Sequence, residues 1–486
     1  MISVSLVLLT LAFGKLAGCA PAASSSASSP ASSSAVVSSS TSQVASTVVS
    51  STIPSTVSSA PAASATVEPI STEPNGPLWG IDTSPDDPVV QPVRGKLGVP
   101  VMGPDNKAID VQNPDFLAGP STDHGSVKNA KWPFSLSHNR LQTGGWARQE
   151  NIGVMPIATE MASVNMRLEP GAVRELHWHK TSEWAYVLKG STQITAVDAE
   201  GRNYIATVQP GDIWFFPAGV PHSLQATDDD PEGSEFILVF DDGDFSEDST
   251  FLLTDWLNHI PYEVIQKNFG VTNDAFSHIP NEELYIFPVA QLPQDDGSAP
   301  QSPQGTVPDP YSFALSKVNA TITPGGSVKV VDSTTFKVST TIAAAEVTVN
   351  PGGIRELHWH PTMDEWSFFI EGQGRVTIFA SQGNARTFDY QAGDIGYVPT
   401  AMGHYVENIG NTTLRFLEIF NTGNISFAST SSGSQTSFVL DRFQDISLNQ
   451  WLALTPPDLV KAHLNIDDDT ISKLSKTKPI VMGPAN

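Results

Sequence analysis

Residues 170–179 read P-G-A-V-R-E-L-H-W-H, and residues 351–360 read P-G-G-I-R-E-L-H-W-H, with eight of ten positions identical. A glutamate follows each copy, Glu183 four residues after His179 and Glu365 five residues after His360. A third histidine comes later, His222 closing G-D-I-W-F-F-P-A-G-V-P-H and His404 closing G-D-I-G-Y-V-P-T-A-M-G-H. H-W-H is strand-like, and alternate residues of a strand share a face. Both imidazoles of a copy then point one way, while Trp178 or Trp359 points the other way as a packing residue. In a small barrel such positions converge inward from different strands. His177, His179, Glu183 and His222 form one candidate metal set; His358, His360, Glu365 and His404 form the second. Three imidazoles and one carboxylate leave open positions on a six-coordinate ion, which suits catalysis. Without sulfur the sets suit manganese, iron or zinc. A single H-W-H reads more often as a pair of core histidines. Two copies with the same downstream Glu and His argue for metal.

Working outward, the runs 182–188, 193–197, 203–208 and 235–240 are rich in Val, Ile, Thr and aromatics between turn residues, and read as strands. Residues 251–269 have helical spacing, with Pro261 opening a second segment, and the spacing returns at 446–464. Even the exits match, L-T-D-W-L-N-H-I-P at 253–261 against L-N-Q-W-L-A-L-T-P at 448–456. The expected fold is all-β, two tandem barrels that each carry a short helical tail. The first domain takes 73–290, opening with a Pro, Gly and Asp-rich arm. Residues 291–310 are a linker without apolar period, and the second domain takes 311–486.

Residues 1–20 have the shape of a signal peptide, although Leu16-Ala17-Gly18-Cys19 also resembles a lipoprotein cleavage box. Residues 21–72 are almost wholly Ser, Ala, Thr, Val and Pro, the composition of a disordered, O-glycosylated stalk. With sequons at Asn319, Asn411 and Asn424, they point to a secreted glycoprotein, with the cell wall as one place of residence. Cys19 is the only cysteine, so no intramolecular disulfide forms. Acidic residues outnumber basic ones 51 to 26, a formal charge of −25. That argues against nucleic acid or an anionic membrane as partner. An anionic substrate must be drawn in locally, by a metal or a placed arginine.

Arg174 and Arg355 lie three residues before the first histidine of each copy. On a regular strand they would point away from the site; a bulge at Glu-Leu would turn them inward, where each offers a two-pronged grip on a carboxylate. A salt bridge elsewhere is the plainer alternative.

The paired motifs resemble the two conserved motifs of the cupin superfamily, and from about Gly76 onward the chain is similar to the bicupins of the oxalate decarboxylase family, with S-E-D-S-T-F at 246–251 as a further mark. The resemblance implies jelly-roll barrels and one manganese per barrel on the two ligand sets. It implies dioxygen as a co-catalyst that is not consumed, and cleavage of oxalate to formate and carbon dioxide. It also implies a hexameric assembly. Residues 246–250 match the family's mobile lid, whose glutamate, here Glu247, handles the proton; Arg174 would polarise the substrate. Bacterial members usually carry Asn where this chain has Asp248. On composition alone Glu247 is one acid among several in D-D-G-D-F-S-E-D. The lid position of the second copy, 421–437, contains no carboxylate, while Glu418 stands where the first copy has Leu238. Turnover is therefore expected at the N-terminal site, with Glu418 a fixed secondary acid. Two alternatives stand beside this reading. One is an oxalate oxidase releasing carbon dioxide and hydrogen peroxide; the other is a non-catalytic storage-type or binding bicupin.

Overall fold

The computed structural model describes residues 122–289, 291–293, 296–423 and 445–484. The 1–20 and 21–72 segments, Cys19, most of the 73–129 arm, Asn424 and nearly all of 421–437 lie outside these residues. The repeated pattern of short runs and turns folds into two barrels, each made of a seven-stranded and a six-stranded antiparallel sheet. In the first, the seven-stranded sheet centres on Glu183–Lys189 between Ile213–Phe216 and Ser234–Phe240. Its six-stranded sheet centres on Val173–Trp178, paired with His222–Ala226. The second barrel repeats this with Glu365–Glu371 between Asp394–Val398 and Leu414–Phe420, and with Ile354–Trp359 paired with His404–Asn408.

Both faces of the seven-stranded sheets are covered. Ala185, Val187, Trp214, Phe216, Phe236 and Leu238 fill the first barrel. Their alternates Trp184, Tyr186, Phe215, Ile237 and Val239 join one apolar cluster with the second barrel. This accounts for the uninterrupted burial of Ser234–Phe240, since a strand buried on both faces has no polar alternation.

The two barrels also exchange edge strands. Lys131–Pro133 pairs with Asp394–Val398 of the second barrel, and Ser312–Phe313 pairs with Ile213–Phe216 of the first. Lys131 is buried in that exchange, its Nζ 2.9 Å from Asp394 Oδ2. The described end of the arm lies on the second barrel as well, through a bridge from His124 to Ala385. The described part of the linker is not free chain. Asp296 accepts from the Thr207 amide at 2.9 Å, and Asn203 Nδ2 donates to the Pro300 carbonyl at 2.6 Å. A polar segment without apolar period is held here by the open edge of Asn203–Val208.

The helical tails form as read, with Leu253–Asn258 and Tyr262–Phe269 after the first barrel, Pro261 preceding the second of them. Leu448–Leu454 and Pro457–Leu464 follow the second barrel. A further helix, Asp468–Ser472, falls where no apolar spacing announces it; Asp467 caps it by accepting from the Thr470 amide.

Candidate metal centres

Gly171 and Gly352 lie in the turns just before the strands that carry H-W-H, and their φ of +77° and +72° fits the tight P-G turn. Each then contains a bulge. His222 lies opposite His177 and Leu224 opposite Arg174, so three steps on one strand match two on the other. The second copy repeats this, with His404 opposite His358 and Val406 opposite Arg355. The extra residue brings arginine and histidine to the same inner side. Arg174 and Arg355 are buried, while Leu176 and Leu357 between them and the histidines are about half exposed. Trp178 and Trp359 pack on the helical tails, 5.3 Å from Trp256 and 5.6 Å from Trp451 between ring centroids.

The glutamate within R-E-L-H-W-H also has a place. Glu175 accepts from the amides of Thr254, Leu284 and Tyr285. Glu356 accepts from Ser447 Oγ and the Ile480 amide. Each thus clips later chain onto the strand that carries the histidines.

Ligand atoms of His177, His179, Glu183 and His222 lie within 4.8 Å of one another, as do those of His358, His360, Glu365 and His404, and all eight residues are buried. Nδ1 of His177, His179, His222, His358 and His404 lies 2.6 to 3.0 Å from a backbone carbonyl. A carbonyl only accepts, so Nδ1 carries the proton and Nε2 presents a lone pair inward. Those lone pairs meet the carboxylates: His179 Nε2 is 3.2 Å from Glu183 Oε2, and His404 Nε2 is 3.1 Å from Glu365 Oε2. Burial holds His177 and His358 well below the usual imidazole range, with Arg174 and Arg355 acting in the same direction. His222 Nε2 and His358 Nε2 are buried without a hydrogen-bond partner. Acceptors converging on acceptors in a buried space require a cation between them, and His3Glu fits a divalent transition metal. The carboxylates are steadied from behind, Glu183 by Trp214 Nε1 at 2.8 Å and Glu365 by Ser367 Oγ at 2.7 Å.

Around the first set, Glu247 is 8 % exposed and accepts from Arg174 Nη2 at 2.9 Å and from the Tyr285 hydroxyl at 2.7 Å. It lies in the turn Glu247–Ser249, where Ser246 caps by accepting from the Asp248 amide. The Gln149 side chain accepts from the Glu247 amide at 3.0 Å. Glu247, Asp248, Tyr285 and Arg140 border a cavity of ≈ 390 Å³.

Around the second set the arginine is enclosed. Arg355 Nε donates to Glu418 Oε1 at 3.0 Å and its Nη2 to Asp445 Oδ2 at 2.6 Å. Lys478 pairs with Asp445 in turn. Burial pushes Glu418 up to about 7 despite Arg355. Asp445 is held far below the usual carboxylate range, against its burial, by Arg355 and Lys478.

Tyr285 and Asp445 lie outside every motif read from the sequence. The signal for Asp445 was its position just before Ile446, which pairs with Trp359 as Phe251 pairs with Trp178. Asp445 therefore stands where the first copy has Thr250. Tyr285 corresponds to Ile480, since each donates its amide to the clipping glutamate.

A model of the family described as Cupin matches residues 143–275 and again 313–444. The chain is 53 % identical over 397 residues to oxalate decarboxylase OxdC of Bacillus subtilis, covering 81 % of this chain and 97 % of the relative. It is 38 % identical over 405 residues to a probable oxalate decarboxylase of Arthroderma benhamiae, covering 82 % and 93 %. The solved structure of the Bacillus subtilis oxalate decarboxylase at pH 4.6 superposes with a TM-score of 0.74 at 52 % identity, over 81 % of this chain and 98 % of that one. The chain belongs to the cupin family, as a two-domain member alongside its oxalate decarboxylases.

Proposed function

We propose that this protein cleaves oxalate to formate and carbon dioxide at its first metal centre. The observation that carries the reading is the contrast between the two arginines. Arg174 shares its guanidinium with one lid carboxylate, Glu247, whereas Arg355 is enclosed by Glu418 and Asp445. An incoming oxalate monoanion, which keeps one carboxylic proton, can take the place of a lid residue. It cannot displace two buried carboxylates from Arg355 without leaving Glu418 unpaired.

Manganese held by His177, His179, Glu183 and His222, with dioxygen as an unconsumed co-catalyst, would supply the one-electron acceptance and return that carbon–carbon cleavage needs. The remaining work belongs to side chains. Arg174 meets a substrate carboxylate and stabilises charge that develops beside the metal ligands. Glu247 takes the carboxylic proton of the bound substrate. The carbon–carbon bond breaks, one half leaves as carbon dioxide, and the other receives a proton at carbon to become formate. Glu247, held between Arg174 and Tyr285 and buried from bulk water, is the group positioned to return that proton. The second set, His358, His360, Glu365 and His404, would hold a second manganese, with Arg355, Glu418 and Asp445 serving its structure.

The amino-terminal 72 residues support a secreted protein with a glycosylated stalk, and Asn319 and Asn411 are exposed as acceptors should be. Apolar side chains exposed on the helical tails support a homo-oligomer, read as a hexamer.

The test is product analysis with oxalate and oxygen on protein whose metal content has been measured. The expected result is formate in near-equal yield to oxalate consumed, with two manganese ions per chain. Peroxide as the main product would assign an oxidase, and protein that holds both metals and consumes no oxalate would overturn the reading.

A further inference from the structure

Arg140 lies on the strand Asn139–Gln142, outside the repeated motifs and the metal sets. Its guanidinium carbon sits 3.6 Å from the centroid of the Tyr285 ring, a favourable cation–π position. One terminal nitrogen pairs with Glu283, two residues before Tyr285. The other lies 3.5 Å from Asp248 Oδ1, on the residue after Glu247. The flat guanidinium fork can hold ring and carboxylates together, which an ammonium cannot. The Tyr285 hydroxyl must face Glu247 to donate, and the stack on Arg140 steadies the ring that carries it.

Glu247 is thus approached from two sides by groups that Arg140 touches, Asp248 on the lid and Tyr285 on the wall. The second barrel lacks the arrangement. Gln142 pairs with Gly145 as Thr323 pairs with Gly326, so Arg140 corresponds to Thr321. Tyr285 corresponds to Ile480, which makes Lys478 the counterpart of Glu283. All three members differ in the copy whose segment 421–437 carries no carboxylate.

Building on the activity assigned above to the first centre, we propose that Arg140 is the positioning residue of the closed lid. It sets Glu247 against Arg174 through Asp248 and through the ring of Tyr285. Asp248 adds a charge to the lid for Arg140 to hold. Without Arg140 the lid opens more often and the proton arrives late, so formate is lost and oxidation to peroxide gains.

The test compares wild type with Arg140→Ala, Arg140→Lys and Asp248→Asn, as holoenzymes matched for metal content. Hydrogen exchange of the 246–250 amides is read alongside kcat, KM and the formate-to-peroxide ratio. Arg140→Ala should speed lid exchange about 10-fold and lower formate kcat about 10-fold while KM moves less than about 3-fold. Peroxide should rise as a share of product, with Arg140→Lys intermediate. Asp248→Asn should speed lid exchange about 3-fold. Wild-type exchange and product ratio in Arg140→Ala would overturn the proposal, as would a fall in kcat with lid exchange unchanged. If Arg140→Ala loses metal, wild-type lid exchange in both Arg140→Lys and Asp248→Asn would overturn it equally. Absence of formate from the wild type would remove the proposed activity, and lid exchange would still decide whether Arg140 holds the lid.

Discussion

Arg174 and Arg355 occupy the same position in two copies of one motif, yet their neighbours give them different consequences. Replacing Arg355 with Met strands the buried Glu418 and leaves the buried Asp445 with Lys478 alone. Removing one partner of a buried charge network costs about 3–5 kcal/mol. A large fall in the thermal midpoint is expected for Arg355→Met. Arg174→Lys should leave the midpoint close to wild type and lower formate turnover about 100-fold, because an ammonium cannot grip a carboxylate bidentately. Calorimetry with formate assays on both variants checks this, and equal effects on the two properties would contradict the division of roles. Glu150 offers a second residue-scale test. It is buried between the barrels, accepting from Ser163 and from Trp366 Nε1, and burial pushes it up to about 7. Its folded value lies above the unfolded one, so the folded chain binds the proton more tightly. Its contribution is fully present below about pH 4.3 and is lost as pH rises to about 7, by about 3 kcal/mol. Glu150→Gln should therefore lose less stability than wild type between pH 4.5 and 7.5; parallel profiles would count against it. The eight metal ligands and both arginines were legible in the sequence because one short motif spells most of them twice. Tyr285, Asp445 and Glu150 were not, because their partners lie 13 to 216 residues away in the chain and no local spacing records such a pairing.

The bulged strand is the element on which the site depends. A regular strand would aim arginine and histidine to opposite faces, and the extra residue in each copy aligns them. The sequence leaves open whether Glu-Leu bulges, since a bulge is chosen by pairing with the next strand. The exchanged edge strands were illegible for a related reason. Lys131–Pro133 and Ser312–Phe313 are too short to show a period, and only tertiary pairing makes them strands. Their contribution can be measured. Lys131→Met would leave Asp394 buried beside its remaining contact from the Gln391 amide, at a cost of about 3–5 kcal/mol. Amide exchange along Asp394–Val398 should rise in that variant. Unchanged exchange would mean the exchanged strand adds little to the second barrel.

At the scale of the whole molecule, the duplication supplies two metal centres in one fold, and the proposed function gives them different work because the copies differ around Arg174 and Arg355. The helical tails leave Trp256, Tyr262, Phe269, Trp451, Leu454 and Leu459 exposed. Exposed large apolar side chains in such number fit the proposed assembly, and the repeat offers them twice per chain. Sedimentation should give a hexamer for wild type and a smaller species for the double variant Trp451→Glu, Leu454→Glu; a monomeric wild type would remove the assembly. Among the described residues, the proposed lid acid Glu247 is presented by the first barrel alone. Its most direct test is the product ratio of Glu247→Ala with oxalate and oxygen, in protein that keeps both metals. Formate should fall at least about 100-fold and peroxide should become the main product. A wild-type yield of formate from that variant would contradict the account.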